Sequence, residues 1–141
     1  MKSHLLLLST VVALALLSGS TYAQSTPSTF KVPFDFVAGT TALQAGQYHL
    51  SNGPAPGTLN LRGDDRRTIQ VSVGNVETLD APAQTKLVFH RYGSQYFLSQ
   101  LWIKGENLGR QVPIGRQERE MASRNTPESL SVLAVSTHAV Q

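Results

Sequence analysis

Residues 87–104, LVFHRYGSQYFLSQLWIK, constrain the fold more than any other stretch of the chain. Two runs rich in β-branched and aromatic residues flank Gly93-Ser94, and that order predicts a β-hairpin. The stretch contains Phe89, Tyr92, Tyr96, Phe97 and Trp102, five of the ten aromatic residues in the sequence. Rings of this size bury large areas, so a small core is expected to form around them. A two-residue loop sets Tyr92 against Gln95, His90 against Phe97 and Phe89 against Leu98. A three-residue loop through Gln95 sets Tyr92 against Tyr96, His90 against Leu98 and Phe89 against Ser99. A one-residue slip changes the cross-strand partners, and spacing alone leaves both registers open. Either way large residues stand on both faces, which suits a central hairpin covered on two sides.

The same hairpin supplies the candidate contacts for a ligand or partner: His90, Arg91, Tyr92, Tyr96 and Trp102. His90, Arg91 and Tyr92 form a compact polar set. The competing explanation is a cross-strand ladder with a cation resting on a ring, a contact that recurs roughly once per 70–80 residues.

Residues 1–23 have the order of a secretory signal: a basic start at Lys2, an apolar run over Leu5–Leu17, and Thr21-Tyr22-Ala23 as a small-x-small cleavage site. Cleavage is expected after Ala23. The apolar run is shorter than the roughly 20 residues a membrane span needs, and no second long run follows. Residues 24–29 read as a polar tail, 30–137 as a single β-rich domain and 138–141 as a C-terminal tail. The whole chain carries a net charge of +3, and loss of Lys2 with the signal leaves +2. So mild and evenly spread a charge gives no basis for nucleic-acid binding. There is no cysteine, so disulfides, thiol catalysis and thiolate metal sites are excluded. An exported domain without disulfides rests on its packed core. A bacterial periplasm or the extracellular space is the expected location.

Along the chain, Phe30–Phe36 alternates cleanly and predicts a half-buried strand with Phe30, Val32, Phe34 and Phe36 inward. Pro33 cannot donate to a ladder, which places it at an edge or a strand end. Leu43–Gly46 reads as a turn, and Gln47–Ser51 as a strand with Tyr48 and Leu50 inward and His49 outward. After the Gly53–Gly57 loop, Thr58–Arg62 and Arg67–Val73 form a second hairpin. Val76 and Leu79 are expected to continue the packing past Gly74. Lys104–Arg110 reads as a Gly-rich turn. Arg116–Arg124 is a short helix with Gly115 at its N-cap and Glu118 at N3, and Ile114, Met121 and Ala122 are its expected contacts with the body. Ser129–Ser136 is the last strand. The sum is mainly β: about seven strands in an antiparallel sandwich or small barrel, with one short C-terminal helix.

FKVPFDFVAG, LQAGQYHL, LVFHRYGSQYFLSQLW and the later ERE resemble a group of small secreted uncharacterised bacterial proteins. Their pattern is F-x-V-P-F-x-F, then L-P-A-G-x-Y, then L-V-F-x-R-Y-G and a Trp. Gln44 stands here where Pro is usual. The resemblance implies export and one compact domain; no functional residue carries over with it.

Catalytic motifs are missing. No G-x-S-x-G elbow is present, and the Ser94 hydroxyl is explained by its turn. His49, His90 and His138 are far apart in the sequence and form no HExxH, so no metal site is expected. Glu118 and Glu120 project about 200° apart on a helix and are read as ion-pairing residues rather than a glycosidase pair. Without a Walker loop or GxGxxG, no cofactor is expected. The leading expectation is an exported non-catalytic domain that binds an envelope or extracellular partner or supports an envelope structure. The alternative is a carrier of small apolar ligands, lined by Phe34, Phe36, Tyr48, Phe89, Phe97 and Trp102. An enzyme such as a small hydrolase ranks last.

Overall fold

The computed structural model describes residues 28–135. The segment 1–23 expected to be a signal, and the expected tail residues 24–27 and 138–141, lie outside the described residues. Strand β1, Ser28–Val32, takes in Ser28 and Thr29, which the sequence assigned to the polar tail.

Two sheets face each other across one core. The first has the order β1, β4 (Gly46–Asn52), β5 (Thr58–Gly63), β6 (Thr68–Ser72), antiparallel throughout. Its alternation is as the sequence predicts: Tyr48, Leu50, Leu59, Leu61 and Val71 are buried, and His49 is exposed. The second sheet has β8 (Lys86–Tyr92) and β9 (Gln95–Trp102) at its centre, flanked by β11 (Glu128–Leu133) and by β10 (Leu108–Gln111) with β7 (Gly74–Glu77). Strand β2, Phe36–Ala38, joins it parallel to β9 at Val37–Phe97, and β3, Thr41–Leu43, pairs with β2. A bridge between Phe30 and Ala134 joins the two sheets along one edge, and the Val135 N–H donates to the Thr29 carbonyl at 2.8 Å. The result is a β-sandwich pinned at one side. Phe30 and Phe89 lie at its centre with 0 % exposure, where each buried ring is worth about 1.5–3 kcal/mol.

The described residues form eleven strands where about seven were expected, for identifiable reasons. Phe30–Phe36 is not one strand: it breaks at Pro33, and the chain passes there from the first sheet to the second. Proline has no N–H for the ladder, so the crossover costs no hydrogen bond at that residue. Phe34, freed from the strand, stacks on Tyr96 at 3.9 Å and meets Phe89 edge-on at 5.0 Å. Part of the predicted Lys104–Arg110 turn is strand: β10 pairs with β7, whose residues lie some thirty positions earlier. Leu79 does not pack; it is 98 % exposed in the loop after β7, where Asn107 Nδ2 binds its carbonyl at 3.1 Å.

The central hairpin adopts the two-residue loop. Tyr92 faces Gln95, His90 faces Phe97 and Phe89 faces Leu98. Gly93 at φ +61° opens the turn, a conformation a side chain would strain. The ladder then skips one residue: Val88 pairs with Gln100, which leaves Ser99 as a β-bulge. The bulge changes the phase of β9, so that Phe97, Ser99, Gln100 and Trp102 share the face turned away from the core. Trp102 is nonetheless buried, with its ring over Gly109 and its indole N–H donating to Gln100 Oε1 at 2.9 Å.

Candidate functional site

The pleat of β8 divides the five candidate residues. Arg91 and Tyr96 are cross-strand partners, and the guanidinium lies 5.6 Å from the Tyr96 ring centre. Arg91 Nε donates to the Gly93 carbonyl, and its Nη1 lies 3.8 Å from Glu128. This pair forms the cation–ring ladder. His90 and Tyr92 point to the opposite face, and Trp102 shares that face at the far end of β9. The structure therefore brings His90 and Tyr92 together and leaves the other three elsewhere.

What meets His90 and Tyr92 is Glu118, from helix α1 (Arg116–Ala122). The helix starts at Gly115 without a side-chain cap, and the Arg119 N–H binds the Gly115 carbonyl at 3.0 Å. Its first turn lies over the outer face of the hairpin. Glu118 is 5 % exposed, and its Oε1 lies 2.7 Å from His90 Nδ1 and 3.1 Å from the Tyr92 hydroxyl, which donates to it. His90 Nε2 is 3.3 Å from Ser99 Oγ. This overturns the reading of Glu118 as an exposed ion-pairing residue; Glu120 keeps that role, accepting from Arg116 Nε at 3.2 Å. The signal for Glu118 was present. Ile114, Met121 and Ala122, the residues expected to face the body, stand at i−4, i+3 and i+4 from it, so the same stripe includes Glu118. In fact Ile114 is 43 % exposed and Ala122 is exposed, so the carboxylate rather than the apolar residues makes the buried contact.

A buried carboxylate is tolerated only when donors surround it. Here an imidazole and a phenol supply them. Burial, followed by the charge of Glu118 and the hydrogen bond to it, raises the Tyr92 phenol above its usual range.

Hydroxyl on Nε2 and carboxylate on Nδ1 is the atom order of a nucleophilic relay. Ser99 is poorly placed to use it. It sits in mid-strand at 4 % exposure, and it does not line the adjoining cleft. The Ser99–His90–Glu118–Tyr92 set acts as a polar strut that holds α1 on the sheet.

That cleft, about 490 Å³, opens beside the strut. Val37, Phe97, Leu98, Val112 and Pro113 form its apolar part, the β2–β3 turn at Gly39-Thr40 forms one rim, and the α1 residues Arg116, Gln117, Glu118 and Glu120 form the other wall. Of the six aromatic residues proposed to line a carrier's cavity, only Phe97 borders it. Phe36, Tyr48 and Phe89 instead pack edge-on, with ring centres 5.2 and 5.3 Å apart.

Among the described residues no three His, Asp or Glu side chains converge as a metal would require. No helix among them is long and apolar enough to cross a membrane. Comparison with family models, with curated proteins and with solved structures gives no match.

Proposed function

We propose that this protein is an exported, non-catalytic β domain that binds a partner group in the cleft under α1. The observation that carries the reading is the cleft itself: an apolar floor of Val37, Phe97 and Val112 beside a wall whose carboxylate is locked in place by His90 and Tyr92. Binding sites commonly combine a concave apolar surface with a few positioned polar groups. The strut supplies the positioning, since a helix of seven residues whose one buried side chain is Glu118 would otherwise have little to anchor it. An interior carrier is less well supported, because Phe34, Phe36, Tyr48 and Phe89, four of the rings assigned to its lining, pack on one another.

Thr40→Trp tests the site. Thr40 is exposed on the rim, so an indole there blocks the cleft without entering the core. Native mass spectrometry of protein recovered from its host is expected to show a bound species with the wild type and its loss with the variant, at unchanged thermal stability. A bound species retained by Thr40→Trp places the binding surface elsewhere. The intact mass of the same sample tests export: it is expected to begin at Gln24, and a retained Met1 refutes the signal assignment.

A further inference from the structure

The geometry points to a small organic cation, an ammonium or guanidinium group on an apolar body, as the ligand of the cleft. The inference deepens the binding reading above and rests on it. It comes from an accounting of Glu118. Oε1 takes both donors, His90 Nδ1 and the Tyr92 hydroxyl. Oε2 takes no hydrogen bond from any described residue, yet it is not among the fully enclosed unpartnered atoms, where only Asn60 Oδ1 is found. Oε2 therefore reaches solvent, and Glu118 belongs to the cleft wall. One oxygen of the carboxylate is fixed by the protein and the other is offered to whatever enters.

The charge is offered as well. His90 Nδ1 faces Glu118 Oε1 and its Nε2 faces Ser99 Oγ, so one imidazole hydrogen carried on Nδ1 would satisfy both contacts. In that arrangement every polar hydrogen of the set is used, and all of them converge on Oε1 or Nε2. Arg116 is a cation of the cleft wall, but its side chain is 90 % exposed and paired with Glu120, so those two charges offset each other. Glu118 is the carboxylate of the cleft wall that no Lys or Arg among the described residues pairs with. A carboxylate with little water around it interacts strongly with an incoming cation, because the local dielectric is low. The ligand's body follows from the floor, where Val37, Phe97, Val112 and Pro113 offer contact to a ring or alkyl chain. About 490 Å³ is within the range of small-molecule sites.

The test uses three probes of one shape and different charge: 4-phenylbutylamine, 4-phenylbutan-1-ol and 4-phenylbutyrate. Each is titrated into the mature full chain at neutral pH and followed by the backbone amide shifts of Phe97 and Val112. The amine is expected to bind at least tenfold more tightly than the alcohol, and the acid more weakly than either. Glu118→Gln, which keeps an acceptor for His90 and Tyr92, is expected to reduce the amine's advantage to within threefold. Glu120→Gln is expected to leave that advantage intact. If amine and alcohol bind the wild type within threefold of each other at these residues, the cation inference is overturned while the cleft remains a binding site. If Glu118→Gln folds and keeps the advantage, another group selects the charge and the inference is likewise overturned. If none of the three probes moves Phe97 or Val112, the cleft reading falls with it. The wild-type comparison of amine with alcohol decides the matter even where the Gln variant fails to fold.

Discussion

His90 Nδ1 and Glu118 Oε1 lie 2.7 Å apart, joining the central strand of the second sheet to the only helix among the described residues across 28 positions of sequence. The pair fixes which face of α1 meets the sheet and leaves the other Glu118 oxygen in the cleft. Two carboxylates two residues apart thereby acquire different roles, Glu118 as a buried anchor and Glu120 as a solvated ion-pair member.

The first prediction follows from that difference. Glu118→Ala leaves the buried Tyr92 hydroxyl and His90 Nδ1 without their acceptor and is expected to cost about 1–3 kcal/mol. Glu120→Ala removes an exposed pair and is expected to cost no more than about 0.5 kcal/mol. Urea denaturation of both variants measures the gap. Equal losses would show that the strut does not hold the helix.

Trp102 and Gly109 form a coupled pair. Trp102→Ala empties a site that is 7 % exposed and should cost about 3–5 kcal/mol. A Cβ on residue 109 would lie 2.7 Å from the indole ring, so Gly109→Ala should cost about 1–3 kcal/mol as ring or strand shifts. The second variant should also move the tryptophan emission toward the red. A stable Gly109→Ala protein with unchanged emission would mean that the ring is not held against β10.

Alkaline stability depends on two tyrosines. Burial, with the charge and hydrogen bond of Glu118, raises Tyr92; burial, with the charges of Asp65, Asp35 and Asp64, raises Tyr48. Both phenols ionise in the unfolded chain near the ordinary value of about 10 and in the folded chain only above it. Their contribution is therefore complete below about pH 10 and is lost as pH rises through the folded values. Stability measured from pH 8 to 11.5 should fall on the alkaline side, and Tyr92→Phe should flatten the fall. An unchanged slope in that variant would remove Tyr92 from the account.

The hairpin turn gives a local prediction. Gly93 has φ +61°, whereas Ser94 is not among the positive-φ residues, so the turn has the form with glycine first. Gly93→Ala should cost about 1–2 kcal/mol. Ser94→Asn should stay within about 0.5 kcal/mol. Thermal melts of the two variants are sufficient, and an inverted order would place the strained residue at 94.

Legibility in the sequence followed the range of the interaction. Period-two alternation located the buried faces of β4, β5 and β6, because in a strand covered on one face each residue's side is set by parity. The Gly53–Gly57 loop was readable for the same local reason, whereas the helix expected over Arg116–Arg124 ends at Ala122. The His90–Phe97 register was one of two readings, and the conformation of Gly93 in the folded hairpin selected it.

Tertiary structure decided the rest. Alternation across Phe30–Phe36 is the same whether the strand continues or crosses between sheets at Pro33, so only the placement of the second sheet breaks it. The pairing of β7 with β10 joins segments with no local signal for each other. Glu118 is the sharpest case. Its neighbours Arg116, Arg119 and Glu120 suit a solvated helix, and on the helix alone water is the better partner for a carboxylate. Its burial is favourable only because His90 and Tyr92, on a hairpin folded 26 to 28 residues earlier, present two donors at one point. A local pattern records what a residue prefers when alone; desolvating a charge depends on donors brought from elsewhere in the chain, and only the assembled fold supplies them.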